Sequence, residues 1–279
     1  MSDRTANTSS LSCATPQGGA DHAAPARIDV GGVLFDPLTL AQTIEHVAGA
    51  AQAGRGGWVI TANLDHARRA RVDDEYRDML REAELVVADG APIIWASKVQ
   101  GAALPERVAG SSMVEPLAKV AAQRGLSIFL MGGTPGTAQQ AGDLLVERYP
   151  DLKIAGVSCP PMGFEKDEAE MSQIREDLRR TKPDLVYVAL GSPKQERLIR
   201  VLRGDFPDCW WLGIGISLSF LTGEVQRAPS YIQRLGLEWL HRLVQEPRRL
   251  AKRYLVHGLP YACRLGLSSV WRRLSGGAR

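Results

Sequence analysis

From Trp58 to Ile214, short apolar runs alternate with amphipathic stretches, and several of the runs end on glycine or a small polar residue. Trp58–Ile60, Leu85–Ala88, Ser127–Met131, Lys153–Val157, Leu185–Leu190 and Trp210–Ile214 read as strands. The intervening segments carry apolar residues at helical spacing, as in Ala138, Ala141, Leu144 and Leu145, or Met171, Ile174 and Leu178. Such alternation predicts an α/β fold built on a mostly parallel sheet with helices on both faces. Upstream, a strand-like piece (Ile28 to Leu34) is broken by Gly31-Gly32, and Thr39 with Gln42 forms a capping box for a helix striped by Leu40, Ile44, Val47 and Ala51. A charged helix is expected over about Asp65 to Glu82, and others over Ala91–Gln100 and Ser112–Arg124.

In a parallel sheet the carboxyl ends of the strands face one edge, where ligands bind. Four tips meet that condition: Thr61 with Asn63, Asp89 with Gly90, Gly132 to Gly136, and Gly191 to Glu196. Each tip alone has two readings. Asp89 suits either a helix cap or a functional carboxylate. Gly132 and Gly133 suit either a tight strand-to-helix turn or a backbone cradle for phosphate, and they match neither a Walker lysine loop nor a full GxGxxG fingerprint. Lys194 and Gln195 open a helix after the rigid Pro193, and neither is a typical cap. Arg107, in a loop between Pro105 and Gly110, is either solvated or placed to neutralise a diphosphate. Convergence of the four tips on one cleft is the stronger signal.

Charge divides the chain in two. Eleven Lys/Arg against Glu238 and Glu246 give Arg227–Arg279 a balance of +9, so the overall +3 leaves −6 for the first 226 residues. An acidic body with a basic tail points to an anionic partner. In the tail Ile232, Leu235, Trp239, Leu243 and Leu250 form a helical stripe among Arg234, Arg242, Arg248, Arg249, Lys252 and Arg253, with a break expected at Pro247. That pattern fits an amphipathic appendage at an anionic membrane surface, or a stripe packed on the body. Four scattered cysteines without a CxxC pair argue against a disulfide framework, and the five histidines show no metal-ligand spacing and read as surface or structural residues. The longest apolar run, Cys209–Leu221, is too short to cross a membrane. Residues 1–26 are rich in small and polar types and are expected to be disordered. A nucleotide-dependent oxidoreductase is disfavoured by the incomplete glycine fingerprint, and nucleic-acid binding by an aromatic content of 6% and an acidic body.

Six motifs in order carry a resemblance: Thr61-Ala62-Asn63, Val87-Ala88-Asp89-Gly90, Glu106 to Gly110, Ala189 to Glu196, Arg227-Ala228-Pro229, and Gly236 to Leu240 with Glu246 to Arg249. Together, over about Ile28 to Leu259, the chain resembles the WecG/TagA/CpsF family of bacterial glycosyltransferases. The resemblance implies a Rossmann-like domain over 27–228 and a membrane-associating appendage over 229–279. It implies an inverting transfer of N-acetylmannosamine, its uronic acid or glucose from a UDP-sugar to a sugar on undecaprenyl diphosphate. The setting it implies is cell-surface polysaccharide synthesis on the cytoplasmic face of the membrane, with no metal and no cofactor; oligomeric state, a homo-oligomer included, stays open. Asp89 matches the general base, Thr61 and Asn63 the polar pair beside the donor sugar, and Arg107 and Gln195 residues near the donor or its diphosphate. Lys194, Gly132 and Gly133 add candidate donor contacts, and Arg227, Arg234, Arg242, Arg248 and Arg249 candidate contacts to membrane or diphosphate. Ser112 stands where many members carry Asp.

Overall fold

A computed structural model describes residues 26–276; the stretch expected to be disordered lies, but for its last residue, outside the described residues. The chain opens with an antiparallel pair, β1 (Ile28–Val30) and β2 (Val33–Phe35), broken as expected at Gly31 and Gly32, which turn the strand back on itself. Then follow α1 (Leu40–Gln52), β3 (Gly57–Ala62), α2 (Leu64–Val72), α3 (Asp74–Glu82), β4 (Leu85–Ala88), α4 (Ala91–Gln100) and α5 (Gly110–Arg124). The second half runs β5 (Ser127–Gly132), α6 (Thr137–Arg148), β6 (Lys153–Ser158), α7 (Glu168–Thr181), β7 (Leu185–Ala189), α8 (Lys194–Leu202), β8 (Trp210–Gly213) and α9 (Ser217–Leu221). Short helices α10 (Ser230–Arg234), α11 (Glu238–Gln245) and α12 (Pro247–Ala251) lead through a π-helical stretch, Lys252–Gly258, into α13 (Leu259–Leu274).

β3 to β8 form one parallel sheet in the order β4-β3-β8-β7-β5-β6. Strand side chains alternate between the faces, as a period of two requires. Trp58 and Ile60 pack with Tyr76, Met79, Ile174 and Ile199 on one side, while Val59 and Leu85 pack with Val47, Leu117 and Leu145 on the other. Both sides are buried, which explains why the strands read as unbroken apolar runs.

Two local features depart from the expected helices, and a third, the break at Pro247, falls where it was expected. The expected charged helix is two helices, because the Asp73 carboxylate accepts from the Tyr76 amide (3.1 Å) and starts α3 afresh. α5 begins at Gly110, two residues ahead of expectation. At Pro247 the tail divides: α11 stops at Gln245, and the proline occupies the first turn of α12, where its missing N–H costs nothing. α13 is not a loose tail, since Tyr261 and Leu265 share the core of Val30 and Phe35. Gly31 sits beneath this helix at φ +67°, and a Cβ there would lie 2.9 Å from Leu265.

β4 is an edge strand, and it carries Asp89 at its tip. Its outer edge is closed by Asp36, whose amide donates to the Val86 carbonyl (2.8 Å) and whose carboxylate accepts from the Val86 amide (2.7 Å). Arg27 steadies the same carboxylate at 2.9 Å. Beyond the strand, the Asp89 amide donates to Ala62 of β3 (2.9 Å) and the Val108 amide to the Ala88 carbonyl (2.7 Å), so the tip is clamped on both sides. Asp36→Ala would leave the buried Val86 N–H without an acceptor. It is expected to lower unfolding free energy by about 2–3 kcal/mol in urea titrations; a change within about 0.5 kcal/mol would show that water replaces the carboxylate there.

Candidate active site

A cleft of about 1120 Å³ opens along the carboxyl edge of the sheet, between the body and the tail helices. Thr61, Asn63, Asp89, Arg107, Gly133 and Gln195 all line it, so the sheet gathers tips that are far apart in sequence. Arg242 and Arg249 line it from the tail.

Asp89 is the unusual carboxylate of this group. Among the described residues nothing donates a hydrogen bond to its side chain. Burial pushes its pKa from 3.8 up to about 6; Arg107 pulls it down, Glu238 raises it, and His66 and Arg227 pull it down. Asp65, which lines the same cleft, has the opposite setting. Burial acts to raise its pKa, but Arg253, Arg69 and Arg68 outweigh it and hold the carboxyl below its ordinary value. Arg253 arrives from the π-helical stretch at 3.2 Å, so Asp65 fastens the tail to α2 while Asp89 stays uncommitted. Environments that push two carboxyls apart mark which one is poised for proton transfer.

The other tips divide between cleft and framework. The Thr61 hydroxyl has no hydrogen-bond partner among the described residues. Asn63 caps α2, its Oδ1 accepting from the amides of Asp65 (3.0 Å) and His66 (3.4 Å), so the cap reading and the cleft reading both hold for it. Gln195 is buried in the first turn of α8 and reaches the loop after β8: Oε1 accepts from the Gly215 amide (3.0 Å), while Nε2 donates to the neighbouring Glu196 (2.9 Å). A Cβ at Gly213 would come within 2.6 Å of that amide nitrogen. Lys194 is not among the cleft-lining residues; it pairs with Glu165 at 3.3 Å on the outer side of α8.

The glycine loop after β5 is a turn in which some of the donors are already paired within the protein. A Cβ on Gly132 would lie 2.7 Å from the Ala189 carbonyl oxygen, so this glycine lets β5 and β7 approach and does not itself line the cleft. The Gly133 amide donates to Ala189 (3.0 Å) and the Thr137 amide to Thr134 (3.0 Å). Glu224 already lies over the loop, accepting from the Thr137 hydroxyl at 2.7 Å.

Sequence reasoning missed Glu238. It stands at the start of α11 and pairs with Arg107 (2.7 Å) and Arg227 (3.7 Å). Arg227 also donates to the Ser112 hydroxyl (2.9 Å), which gives that position a role without a carboxylate. Just ahead of α11, Gly236 at φ +73° presses on the body: a Cβ there would sit 2.4 Å from that of Ala91, two residues past Asp89. In the sequence Glu238 entered only as one of two acids in the basic tail and as part of the Gly236–Leu240 motif. Of the remaining tail arginines, Arg242 and Arg249 share Glu246 at 3.5 and 3.0 Å, Arg248 is exposed outside the cleft, and the side chain of Arg234 lies outside the described residues. Among the described residues no three His, Cys, Asp or Glu side chains cluster to hold a metal ion.

A parallel α/β sheet thus gathers an uncommitted carboxylate and Arg107 at its carboxyl edge, where sheets of this class bind their ligands. The chain belongs to the WecG/TagA/CpsF family of glycosyl transferases, whose family model matches residues 28–275. A relative in Bacillus subtilis (strain 168) is 34% identical over 194 residues, 70% of this chain and 73% of that protein. One in Staphylococcus aureus (strain MW2) is 28% identical over 229 residues, 81% and 88% of the two chains. Both relatives bear the name N-acetylglucosaminyldiphosphoundecaprenol N-acetyl-beta-D-mannosaminyltransferase. This protein is therefore an enzyme that transfers a glycosyl group.

The pKa of Asp89 also predicts a stability difference. Below about pH 4 folded and unfolded chains both hold the proton, and the buried carboxyl carries no ionisation penalty. As pH rises through about 6 the native state must ionise a desolvated group, so the wild type loses stability over that window and Asp89→Asn does not. Above it the variant is expected to be more stable by about 1–3 kcal/mol, in urea titrations compared at about pH 4 and about pH 7.5. An equal difference at both values would separate the gain from ionisation.

Proposed function

We propose that this enzyme transfers N-acetylmannosamine from UDP to N-acetylglucosamine carried on a lipid diphosphate, with inversion and with Asp89 as general base. The observation that carries the reading is Asp89 itself, a clamped, desolvated carboxylate without a hydrogen-bond donor among the described residues, whose proton affinity is lowered by two arginines held by one acid. In the reaction the acceptor hydroxyl gives its proton to Asp89 as its oxygen bonds to the anomeric carbon. The bond from that carbon to the diphosphate breaks on the opposite face, and UDP leaves. A base with a pKa of about 6 is ionised at neutral pH and still basic enough to take a proton as the bond forms. Arg107 and Arg227 are the cations for the departing diphosphate, so no step requires a metal. The sugar and acceptor are those named for the relatives; UDP as carrier follows from the family resemblance.

The tail supports approach to a lipid-borne acceptor. No helix is long and apolar enough to cross a membrane among the described residues. Tyr231, Leu235, Val244, Leu255, Val256 and Leu259 are exposed, and Arg248 and Lys252 stand exposed among them. Apolar side chains ringed by cations suit the interface of an anionic bilayer.

Incubation with UDP-N-acetylmannosamine and a short-chain N-acetylglucosaminyl lipid diphosphate, with a chelator present, should give a disaccharide lipid identifiable by mass. Asp89→Asn should lose at least about 10³-fold in kcat while retaining UDP affinity; near wild-type turnover would remove Asp89 from the role of base. The acid limb of kcat/KM is expected near pH 6. Arg107→Gln removes a group that lowers the Asp89 pKa and should move the limb up, whereas Glu238→Gln should move it down. Opposite or absent shifts would detach the limb from Asp89. Separately, Arg248→Glu with Lys252→Glu should weaken flotation with anionic vesicles at low salt, and unchanged flotation would show that these cations do not face lipid.

A further inference from the structure

Five carboxylates line the cleft, and arginines already answer three of them. Asp65 pairs with Arg69 and Arg253, Glu238 with Arg107 and Arg227, and Glu246 with Arg242 and Arg249. Asp89 is the fourth, and the proposed reaction uses it. Glu224 is the fifth: it is exposed in the loop after α9, makes no ion pair among the described residues, and has no part in the chemistry above.

Hydroxyls hold Glu224 in place. Its Oε1 accepts from Thr137 Oγ1 (2.7 Å) and lies 3.2 Å from Thr134 Oγ1, while Oε2 lies 3.3 Å from Thr134 Oγ1. The two threonine oxygens are themselves 2.5 Å apart, so two hydroxyl protons serve every one of these contacts. A carboxylate has about four acceptor sites, so Oε2 above all stays open to the cleft. Hydrogen bonding from Thr137 lowers the Glu224 pKa, slight burial raises it, and Ser219 and Thr134 lower it, so the group is held ionised. An anion without a cation repels phosphate and suits neutral donors. Thr134 and Thr137 fix it at the tip of β5, four strand steps from the Asp89 tip of β4, or about 19 Å at ordinary strand spacing. One cleft joins the two ends.

We propose that Glu224 determines specificity for the donor nucleotide by accepting hydrogen bonds from the 2′- and 3′-hydroxyls of its ribose. The inference rests on the nucleotide-sugar reading, which puts the anomeric carbon at the Asp89 end. A donor laid along the cleft then carries its diphosphate past Arg107 and brings its ribose toward the β5 tip. There the vicinal hydroxyls offer two neutral donors to one carboxylate, the same pairing by which dinucleotide-binding sheets read ribose with an acid. Glu224 also fixes the direction of binding, because its charge bars the diphosphate from the glycine loop and leaves that end to the nucleoside.

Calorimetric titration of the full chain with UDP, 2′-deoxy-UDP and 3′-deoxy-UDP tests the assignment. The wild type is expected to bind UDP roughly 10- to 100-fold more tightly than either deoxy form, as the loss of a hydrogen bond to a charged group implies. In Glu224→Ala the three ligands should fall within about threefold of one another. Glu224→Gln, which keeps the shape and removes the charge, should show an intermediate preference. Discrimination that persists in both variants would overturn the proposal, as would a wild type that binds UDP and its deoxy forms alike. A wild type that binds no UDP would instead remove the nucleotide reading beneath it.

Discussion

Glu238 joins the two parts of this molecule at the point where the chemistry is placed. It comes from the tail, it pairs with Arg107 of the body, and it reaches Arg227 at the junction between them. The contact is only partly solvated, with side-chain exposures of 21% for Arg107 and 15% for Glu238, so neither charge is readily replaced by water. Breaking a buried pair on one side leaves an uncompensated charge and typically costs about 3–5 kcal/mol. The tail is thus anchored by electrostatics at the cleft and by apolar packing of Tyr261 and Leu265 in the core shared with Val30 and Phe35. In the proposed reaction the same arginines receive a diphosphate. Glu238 then stands where an anionic substrate would compete with it, and the ion pair that seats the tail is responsive to the donor.

The contrast between Asp65 and Asp89 shows how a sheet edge makes two chemically different groups from one residue type. Asp65 lies in the first turn of α2, where arginines one helical turn along can reach it, and a third arrives from the tail. Asp89 lies one residue past a strand, where the neighbouring backbone is already paired and no side chain of its own element can fold back. Helix-turn arginines and one from the tail neutralise the first carboxylate, whereas desolvation dominates at the second. The proton affinity that suits a base follows from where the strand stops.

Much of this was legible from the residues. Apolar runs buried on both faces gave the parallel sheet, and glycine with short polar residues at their ends gave the edge on which Thr61, Asn63, Asp89, Arg107 and Gln195 meet. What stayed hidden depended on partners distant in the chain. Nothing near Lys194 announces Glu165, and nothing in the glycine loop says that Ala189 and Glu224 occupy its donors. His66 read as a surface or structural histidine, and its buried contact with Glu196, 130 positions away, left no trace in the spacing. Asp73 was a different case: its cap is local, but the charged residues on both sides made two helices look like one.

The basic tail also changes meaning once its partners are known. Its balance of +9 suggested a broad electrostatic attraction, yet Arg227, Arg242, Arg249, Arg253 and Arg272 all face acids of the protein itself. These pairs hold helices in place and contribute little field at a distance. Arg248, Lys252, Arg264 and Arg273 stand exposed and make no ion pair among the described residues, and each such cation near an anionic surface adds about 1 kcal/mol. In the proposed attachment they act together with the exposed apolar side chains of α10 to α13. On that reading the internal pairs set the shape of the tail, the apolar side chains set its depth in the interface, and the few free cations set the orientation in which the cleft meets a lipid-borne acceptor.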